Sequence, residues 1–247
     1  MHAVVLAGGF GTRLRSVVND VPKPMAPIHS KPFLDYILGQ LKKNGIKSYT
    51  FCLHYMADAI QSYYTDGRVA DVEIDYSLEA SPLGTGGAIG LLRDRLRDTF
   101  CVVNADTYLE LNVREMIQRH RQQGATASIA LFNMPDPQRY GRLALDREGR
   151  IVQFNEKSGS KDVYFGDALS DASPINAGLY LLEPEIFEYI PRDQVFSLEK
   201  DLFPQLLEDK KVILGYDGVE NFFDIGVPED LSKFRDWVME SERGALG

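Results

Sequence analysis

Three glycines in four residues mark the segment Leu6-Ala7-Gly8-Gly9-Phe10-Gly11-Thr12-Arg13-Leu14, at the end of the apolar run Ala3–Ala7. Glycines let backbone N–H groups come close to a ligand and aim at it, an arrangement that suits phosphate oxygens. Two familiar phosphate loops are excluded by spelling. A P-loop closes on Gly-Lys-Ser/Thr, whereas this one closes on Gly11-Thr12-Arg13. A dinucleotide fingerprint counted from Gly9 calls for glycine where Leu14 stands. The neighbouring charges agree with the glycines. Between Arg13 and Lys31 lie Arg13, Arg15, Lys23 and Lys31 against one acid, Asp20, in a chain of formal net charge −9. A basic island in an acidic chain is the pattern a polyanion site calls for. Lys23 stands between Pro22 and Pro24, whose restricted backbone angles present its ammonium from a stiff segment.

Further along, Glu79-Ala80-Ser81-Pro82-Leu83-Gly84-Thr85-Gly86-Gly87-Ala88 is a second glycine cluster, readable as a ligand loop or as a plain helix start. The Glu79 carboxylate is suited to accept hydrogen bonds from the N–H donors of a ligand. Val102-Val103-Asn104-Ala105-Asp106 closes a hydrophobic strand with an acid, at the strand end where parallel sheets bind ligands. A second acid, Asp224, lies in Phe223-Asp224-Ile225-Gly226-Val227-Pro228. Taken singly, each aspartate reads more readily as a helix cap or turn residue than as a ligand. Tyr140-Gly141, Glu156-Lys157 and Asn176-Ala177-Gly178 have ordinary readings too, as hairpin, surface ion pair and strand bulge.

In their order, these segments resemble the sugar-1-phosphate nucleotidyltransferases, whose signature is Gly-Gly-x-Gly-Thr-Arg-Leu followed by Pro-Lys-Pro. The resemblance runs from Ala3 to about Trp237. It implies an α/β, Rossmann-like three-layer (GT-A-like) nucleotidyltransferase fold, with a mostly parallel central sheet and a smaller mixed α+β sugar-binding lobe. It implies catalytic roles for Arg13, Lys23 and Asp106. Nucleotide contacts fall to Leu6, Ala7, Gly8, Gly9, Gly11, Thr12, Arg13, Lys23, Glu79, Pro82, Gly84 and Thr85. The sugar phosphate falls to Tyr140, Gly141, Glu156, Lys157, Asn176 and Gly178, and Mg²⁺ to Asp106 and Asp224. Where the family writes Asn-Gly-Asp, this chain has Ala105 in the middle position.

The compact form, without the hexapeptide repeats of an appended left-handed β-helix, resembles most the branch that couples GTP to D-glycero-α-D-manno-heptose 1-phosphate. The Pro-Leu-Gly-Thr-Gly-Gly-Ala and Phe-Phe-Asp-Ile-Gly-Val-Pro-Glu-Asp segments carry that closer likeness. Alternatives are mannose 1-phosphate with GTP, N-acetylmuramate 1-phosphate with UTP, and glucose 1-phosphate with CTP or dTTP. A catalytically silent sugar-nucleotide sensor is expected to have lost Arg13, Lys23, Asp106 or Asp224, and all four are present.

These residues need a scaffold. Strands are expected at Ala3–Ala7, Tyr49–Leu53, Val72–Tyr76 and Phe100–Val103. Helical stripes are expected at Phe33–Leu41, closed by Asn44-Gly45, and at Ala88–Leu96. Alternation of this kind builds βαβ crossovers. After them come a hairpin (Arg142–Leu145 with Ile151–Phe154), strands Ile175–Leu182 and Val212–Leu214, a helix capped by Ser197, the segment Phe222–Ile225, and a last helix from Pro228. One domain is expected over the 247 residues: 1–135 mainly nucleotide-binding, 136–226 mainly sugar-phosphate-binding, and 227–247 a terminal helix. The acidic balance argues against nucleic acid or anionic lipid as partners, leaving small-molecule substrates. Cys52 and Cys101 sit in apolar runs and read as buried thiols. With no signal-like or membrane-spanning run, a cytoplasmic protein is expected, its oligomeric state left open.

Overall fold

The computed structural model describes residues 1–14, 17–65, 71–134, 142–155 and 173–244. In chain order the strands and helices are β1 (His2–Leu6), β2 (Pro27–Ile28), β3 (Lys31–Pro32), α1 (Phe33–Lys43), β4 (Ser48–Leu53), α2 (Ala57–Thr65), β5 (Glu73–Leu78) and α3 (Gly84–Gly90). Then follow β6 (Phe100–Asn104), β7 (Thr107–Leu111), α4 (Val113–Gln122), β8 (Ala127–Met134), β9 (Arg142–Leu145), β10 (Ile151–Asn155) and β11 (Ser173–Leu182). The chain closes with α5 (Phe203–Glu208), β12 (Ile213–Tyr216), β13 (Val219–Asp224) and α6 (Pro228–Gly244).

The central sheet has the order β10-β9-β11-β6-β1-β4-β5, with β8 joined to β11 and β12 to β8. Strands β5, β4, β1 and β6 are parallel, and β11 turns antiparallel on β6. Alternation along the strands sorts side chains to two faces. Ala3, Val5, Phe51, Leu53, Cys101 and Val103 join the core that α1, α2, α4 and α6 cover. Val4, Cys52 and Val102 join the core beneath α3 and α5. This is the expected α/β architecture. The chain runs outward from β1 through β4 to β5, then returns to β6 on the other side of β1. Loops leaving β1 and β6 therefore diverge and open a crevice at their carboxyl ends.

Two local expectations change in the structure. The stripe Ala88–Leu96 is not one helix: α3 ends at Gly90, and Leu92 N–H and Arg95 N–H bond to carbonyls three residues back. Gly90 has a cause in packing, since a Cβ there would meet Ile190 Cγ2 at 2.9 Å. Ser197 does cap its helix, its hydroxyl accepting from the N–H groups of Glu199 and Lys200, but the first turn (Leu198–Leu202) is a π-turn leading into α5. Pro204 lacks the N–H that would close an ordinary turn there.

Both cysteines are free and buried, with burial pushing each thiol pKa upward. Among the described residues no helix is long and apolar enough to cross a membrane. The expected division between lobes falls at residues outside the described set.

Candidate active site

At the carboxyl edge of β1 and β6 lies a cavity of about 410 Å³. Every residue expected at the nucleotide lines it: Leu6 to Gly9, Gly11 to Arg13, Lys23, Glu79, Pro82, Gly84 and Thr85. Asp106 lines it too. A larger cavity, about 820 Å³, opens at the opposite, amino edge of the same strands around His2, Thr50 and Arg95. None of the expected site residues reaches it, and its arginines face Glu73, Asp75, Asp98 and Glu183. The smaller cavity is the one the chemistry selects.

Ala7 N–H bonds to Cys52 O and Ala105 N–H to Leu6 O, which pins the start of the glycine loop between the neighbouring strands. Gly11 takes a positive φ of 57°, and a Cβ there would come within 2.9 Å of Lys23 Cβ. Glycine thus lets Lys23–Met25, a single 3-10 turn capped by Pro22, carry Lys23 across the loop.

Lys23 is the centre of the site's electrostatics. Its side chain is 8% exposed, and Nζ lies 2.7 Å from Asp106 Oδ2 and 3.5 Å from Asp224 Oδ1. The acids meet because β13 pairs with β7: Asp224 lies opposite Thr107, and Ile225 N–H bonds to Asp106 O. Burial pushes the Asp106 carboxyl up. The Lys23 charge and hydrogen bonds from Lys23 and Thr107 outweigh it and hold the pKa below the ordinary carboxylate value. Asp106 keeps a side chain 40% exposed toward the cleft. Asp224 goes the other way. Burial and then the Asp106 charge raise its pKa, against the opposing pull of Lys23, the Gly226 N–H and Arg13.

Asp224 Oδ1 is buried without a hydrogen-bond partner. A carboxylate oxygen that makes no hydrogen bond, paired only at 3.5 Å with Lys23 and beside a second carboxylate that lines the cavity, fits a hard divalent cation, which takes oxygen ligands and shares them with substrate phosphates. Among the described residues there is no cluster of three or more histidine, cysteine or acidic side chains, so the described residues would offer such a site these two aspartates.

Glu79 follows β5 and is raised in pKa by burial, partly countered by the Leu83 N–H and His54. Its Oε2 accepts from Leu83 N–H at 2.9 Å, and Oε1 sits where a Cβ on Gly8 would come within 2.9 Å. His54 Nδ1 donates to the Glu79 carbonyl at 2.9 Å, fixing the backbone beneath. The carboxylate is held at the cavity wall with acceptor capacity to spare. Thr85 is occupied otherwise: its hydroxyl donates to Glu199 Oε2 at 2.9 Å and accepts from Leu198 N–H at 2.9 Å.

Of the residues expected at the sugar phosphate, Asn176 and Gly178 are described; Tyr140, Gly141, Glu156 and Lys157 lie outside the described residues. Asn176 Oδ1 accepts from Gly178 N–H and its Nδ2 donates to the Tyr180 hydroxyl, each at 3.0 Å. A Cβ on Gly178 would come within 2.8 Å of Asn104 Nδ2, and Asn104 lines the cavity. The two groups of residues thus adjoin through Asn104.

A nucleotidyl transferase family model matches residues 2–240. The chain belongs to that family. It is 37% identical to the D-glycero-alpha-D-manno-heptose 1-phosphate guanylyltransferase of Aneurinibacillus thermoaerophilus, over 94% of this chain and 96% of that one. It is 36% identical to the enzyme of the same name from Campylobacter jejuni, over 95% of this chain and 98% of the other. In three dimensions it is similar to the crystal structure of HddC from Yersinia pseudotuberculosis complexed with GMP-PN. That match has a TM-score of 0.81 and 33% identity, and covers 96% of this chain and 99% of the other.

This nucleotidyl transferase also brings to its cavity residues that the sequence did not single out. Phe10 lines it, 47% exposed, with its ring 5.8 Å from His54 and 5.5 Å from Tyr55. Asn104, Pro24 and Gly226 line it as well. Their adjacency to motif residues was the available signal. For Glu199, joined to Thr85, the sequence carries none.

Proposed function

We propose that this nucleotidyl transferase moves GMP from GTP to D-glycero-α-D-manno-heptose 1-phosphate. A phosphate oxygen of the sugar forms the new bond to the α-phosphorus, the bond from that phosphorus to the β-phosphate's bridging oxygen breaks, and pyrophosphate leaves. The observation that carries this reading is Lys23, held between Asp106 and Asp224 beneath a glycine loop at the crevice between β1 and β6.

The attacking group needs no general base, because a phosphate monoester with a second pKa of about 6 is mostly dianionic at neutral pH. The task is to bring two polyanions together in line and to neutralise charge as it shifts. In this reading Arg13 and the loop N–H groups hold the triphosphate. Lys23 sits at the α-phosphate, and Glu79 accepts from the guanine N1–H and 2-amino group. Asp106 and Asp224 would hold Mg²⁺, which when bound offsets triphosphate charge and makes the α-phosphorus more electrophilic. Asn176 and Gly178, with Tyr140, Gly141, Glu156 and Lys157, take the sugar phosphate.

The test is pyrophosphate release with Mg²⁺ across GTP, ATP, UTP and CTP and a panel of sugar 1-phosphates that includes the heptose. Turnover with GTP and the heptose phosphate alone supports the full reading. Turnover with mannose 1-phosphate, or with a pyrimidine nucleotide and another sugar, keeps the chemistry and replaces the substrates. Silence with every pair, while GTP still binds, overturns the reading in favour of a sensor.

A further inference from the structure

Beneath the cavity floor, three hydroxyl groups converge on one carboxylate. Glu199 Oε2 accepts from Thr85 Oγ1 at 2.9 Å and from Ser197 Oγ at 2.8 Å, and Oε1 accepts from the Tyr180 hydroxyl at 2.9 Å. Tyr180 is fully buried, and its hydroxyl in turn accepts from Asn176 Nδ2 at 3.0 Å and is hydrogen-bonded by the Asn104 side chain. One arm of this network therefore ends at Thr85, in the first turn of α3 on the nucleotide side. The other ends at Asn176, on β11.

The contacts around the network hold its parts close. Gly86 and Gly87 N–H groups both bond to Phe196 O, and Phe196 N–H bonds to Leu83 O, so α3 is clamped on the segment leading to Glu199. Glu199 itself sits in the π-turn Leu198–Leu202. Such turns are uncommon and concentrate at functional sites.

We propose that Glu199 is the positioning residue that joins the two substrate subsites: it fixes Thr85 beneath the nucleotide and, through Tyr180, fixes Asn176 for the sugar phosphate. This rests on the functional reading above. The chemistry requires a carboxylate. An ionised Glu only accepts, and here it serves three donors at once. In Glu199→Gln one oxygen becomes an NH₂ donor. It then faces either the Thr85 and Ser197 hydroxyls or the Tyr180 hydroxyl, which already accepts from Asn176. One arm loses its acceptor whichever way the amide turns.

The experiment measures nucleotide Kd by calorimetry and sugar-phosphate KM by turnover, on the full chain, for four variants. Tyr180→Phe cuts the sugar arm while leaving Thr85 bonded to Glu199, and is expected to raise KM for the sugar phosphate about tenfold while nucleotide Kd, reached only through the freed Asn104 side chain, shifts far less. Thr85→Val cuts only the nucleotide arm and is expected to do the reverse, and Thr85→Ser restores binding. Glu199→Gln, which deprives one arm of its acceptor, is expected to weaken at least one of the two constants well beyond twofold. A folded Glu199→Gln with both constants within about twofold of wild type overturns the proposal. So do Tyr180→Phe and Thr85→Val if each shifts both constants alike, an outcome that stays readable even where Glu199→Gln fails to fold. Wild-type turnover decides the functional reading separately. If no substrate pair reacts, that reading falls. The arms are then compared by nucleotide Kd alone, where Thr85→Val must weaken binding far more than Tyr180→Phe does.

Discussion

Replacing Lys23 by Met keeps the unbranched stem and removes the ammonium that, among the described residues, faces both aspartates. At an effective dielectric of about 20, a cation 2.7 Å from Asp106 and 3.5 Å from Asp224 gains roughly 6 and 5 kcal/mol of gross Coulomb attraction. Most of that is offset by desolvation of a side chain only 8% exposed. What the variant exposes is the cost of two carboxylates facing each other without a cation. Deleting one member of a buried pair costs about 3–5 kcal/mol, and the 40% exposure of Asp106 lets water screen part of it, so about 2–3 kcal/mol is expected. For a domain of this size that lowers the melting temperature by roughly 5–10 °C.

Calorimetric melts in EDTA, at neutral pH and near pH 4, test the reasoning. Without the ammonium, both carboxyls have folded pKa values raised by burial and by each other. Their penalty is absent below the unfolded value of about 4 and develops as pH rises through the raised folded values. In the wild type the depressed Asp106 contributes stability above its unfolded pKa, and this is lost only as pH falls through the lower folded value. The deficit of Lys23→Met should therefore be largest at neutral pH and shrink on acidification. A variant as stable as wild type at neutral pH, or a deficit that does not change with pH, would refute the electrostatic role. Turnover should fall by about 10²–10³-fold, as when a preorganised charge is removed from a transition state.

Asp224→Asn should behave oppositely in the absence of metal. Because the folded pKa of Asp224 is raised, the stability its protonated form contributes is present below the unfolded pKa and lost as pH rises through the folded one. The neutral amide escapes that loss, so the variant should melt no lower than wild type at neutral pH while binding of Mn²⁺, followed by electron paramagnetic resonance, weakens; a lower melting temperature at neutral pH contradicts this. Gly84→Ala should cost roughly 3 kcal/mol in chemical denaturation, since φ is +74° and the Cβ would lie 2.7 Å from Phe196 O. Gly9→Ala meets nothing within 4 Å and should stay within about 0.5 kcal/mol of wild type while weakening nucleotide binding. Glu79→Gln should reduce kcat/KM with GTP by about tenfold or more and leave the ATP value unchanged, as competition assays with mixed nucleotides will read.

The parts of the site that the sequence made legible are those built from neighbours. The run of β1, the glycine loop and Pro22-Lys23-Pro24 are local, and the periodicity of α1 announced its buried face. Ladders between distant segments were not legible. β7 and β13 are short, and Thr107 and Asp224 lie more than a hundred residues apart. The meeting of Asp106 with Asp224 therefore rested on family order and not on any pattern in the residues. Tyr180 reads as core in an apolar run, and nothing local reveals that its hydroxyl answers to Glu199. The second glycine cluster shows a different limit. Gly84 lines the cavity, yet what demands glycine at 84, 86 and 87 is protein. Added Cβ atoms there would lie 2.7 Å from Phe196 O, Phe196 Cδ1 and Gln194 O respectively. A glycine in sequence says that something comes close, and only the fold says whether it is ligand or backbone.

The basic island invites the same scrutiny. Of its four cations, Arg13 and Lys23 line the cavity, Lys31 lies exposed on β3, and Arg15 is outside the described residues. Facing Arg13 and Lys23 are Asp106, Asp224 and Glu79, so the described side chains at the site carry two positive and three negative charges. That balance does not attract a triphosphate on its own. Loop N–H groups supply partial positive charge but not whole units. A divalent cation on the two aspartates would turn the local sum from negative to positive and release Lys23 from its carboxylate partners toward the phosphates. On this argument nucleotide affinity should depend on metal far more than the residue types between Arg13 and Lys31 suggest, and calorimetry of GTP binding with and without Mg²⁺ measures that dependence directly. Equal affinity in the two conditions would mean that the loop and Arg13 suffice, and that the acid pair acts only after binding.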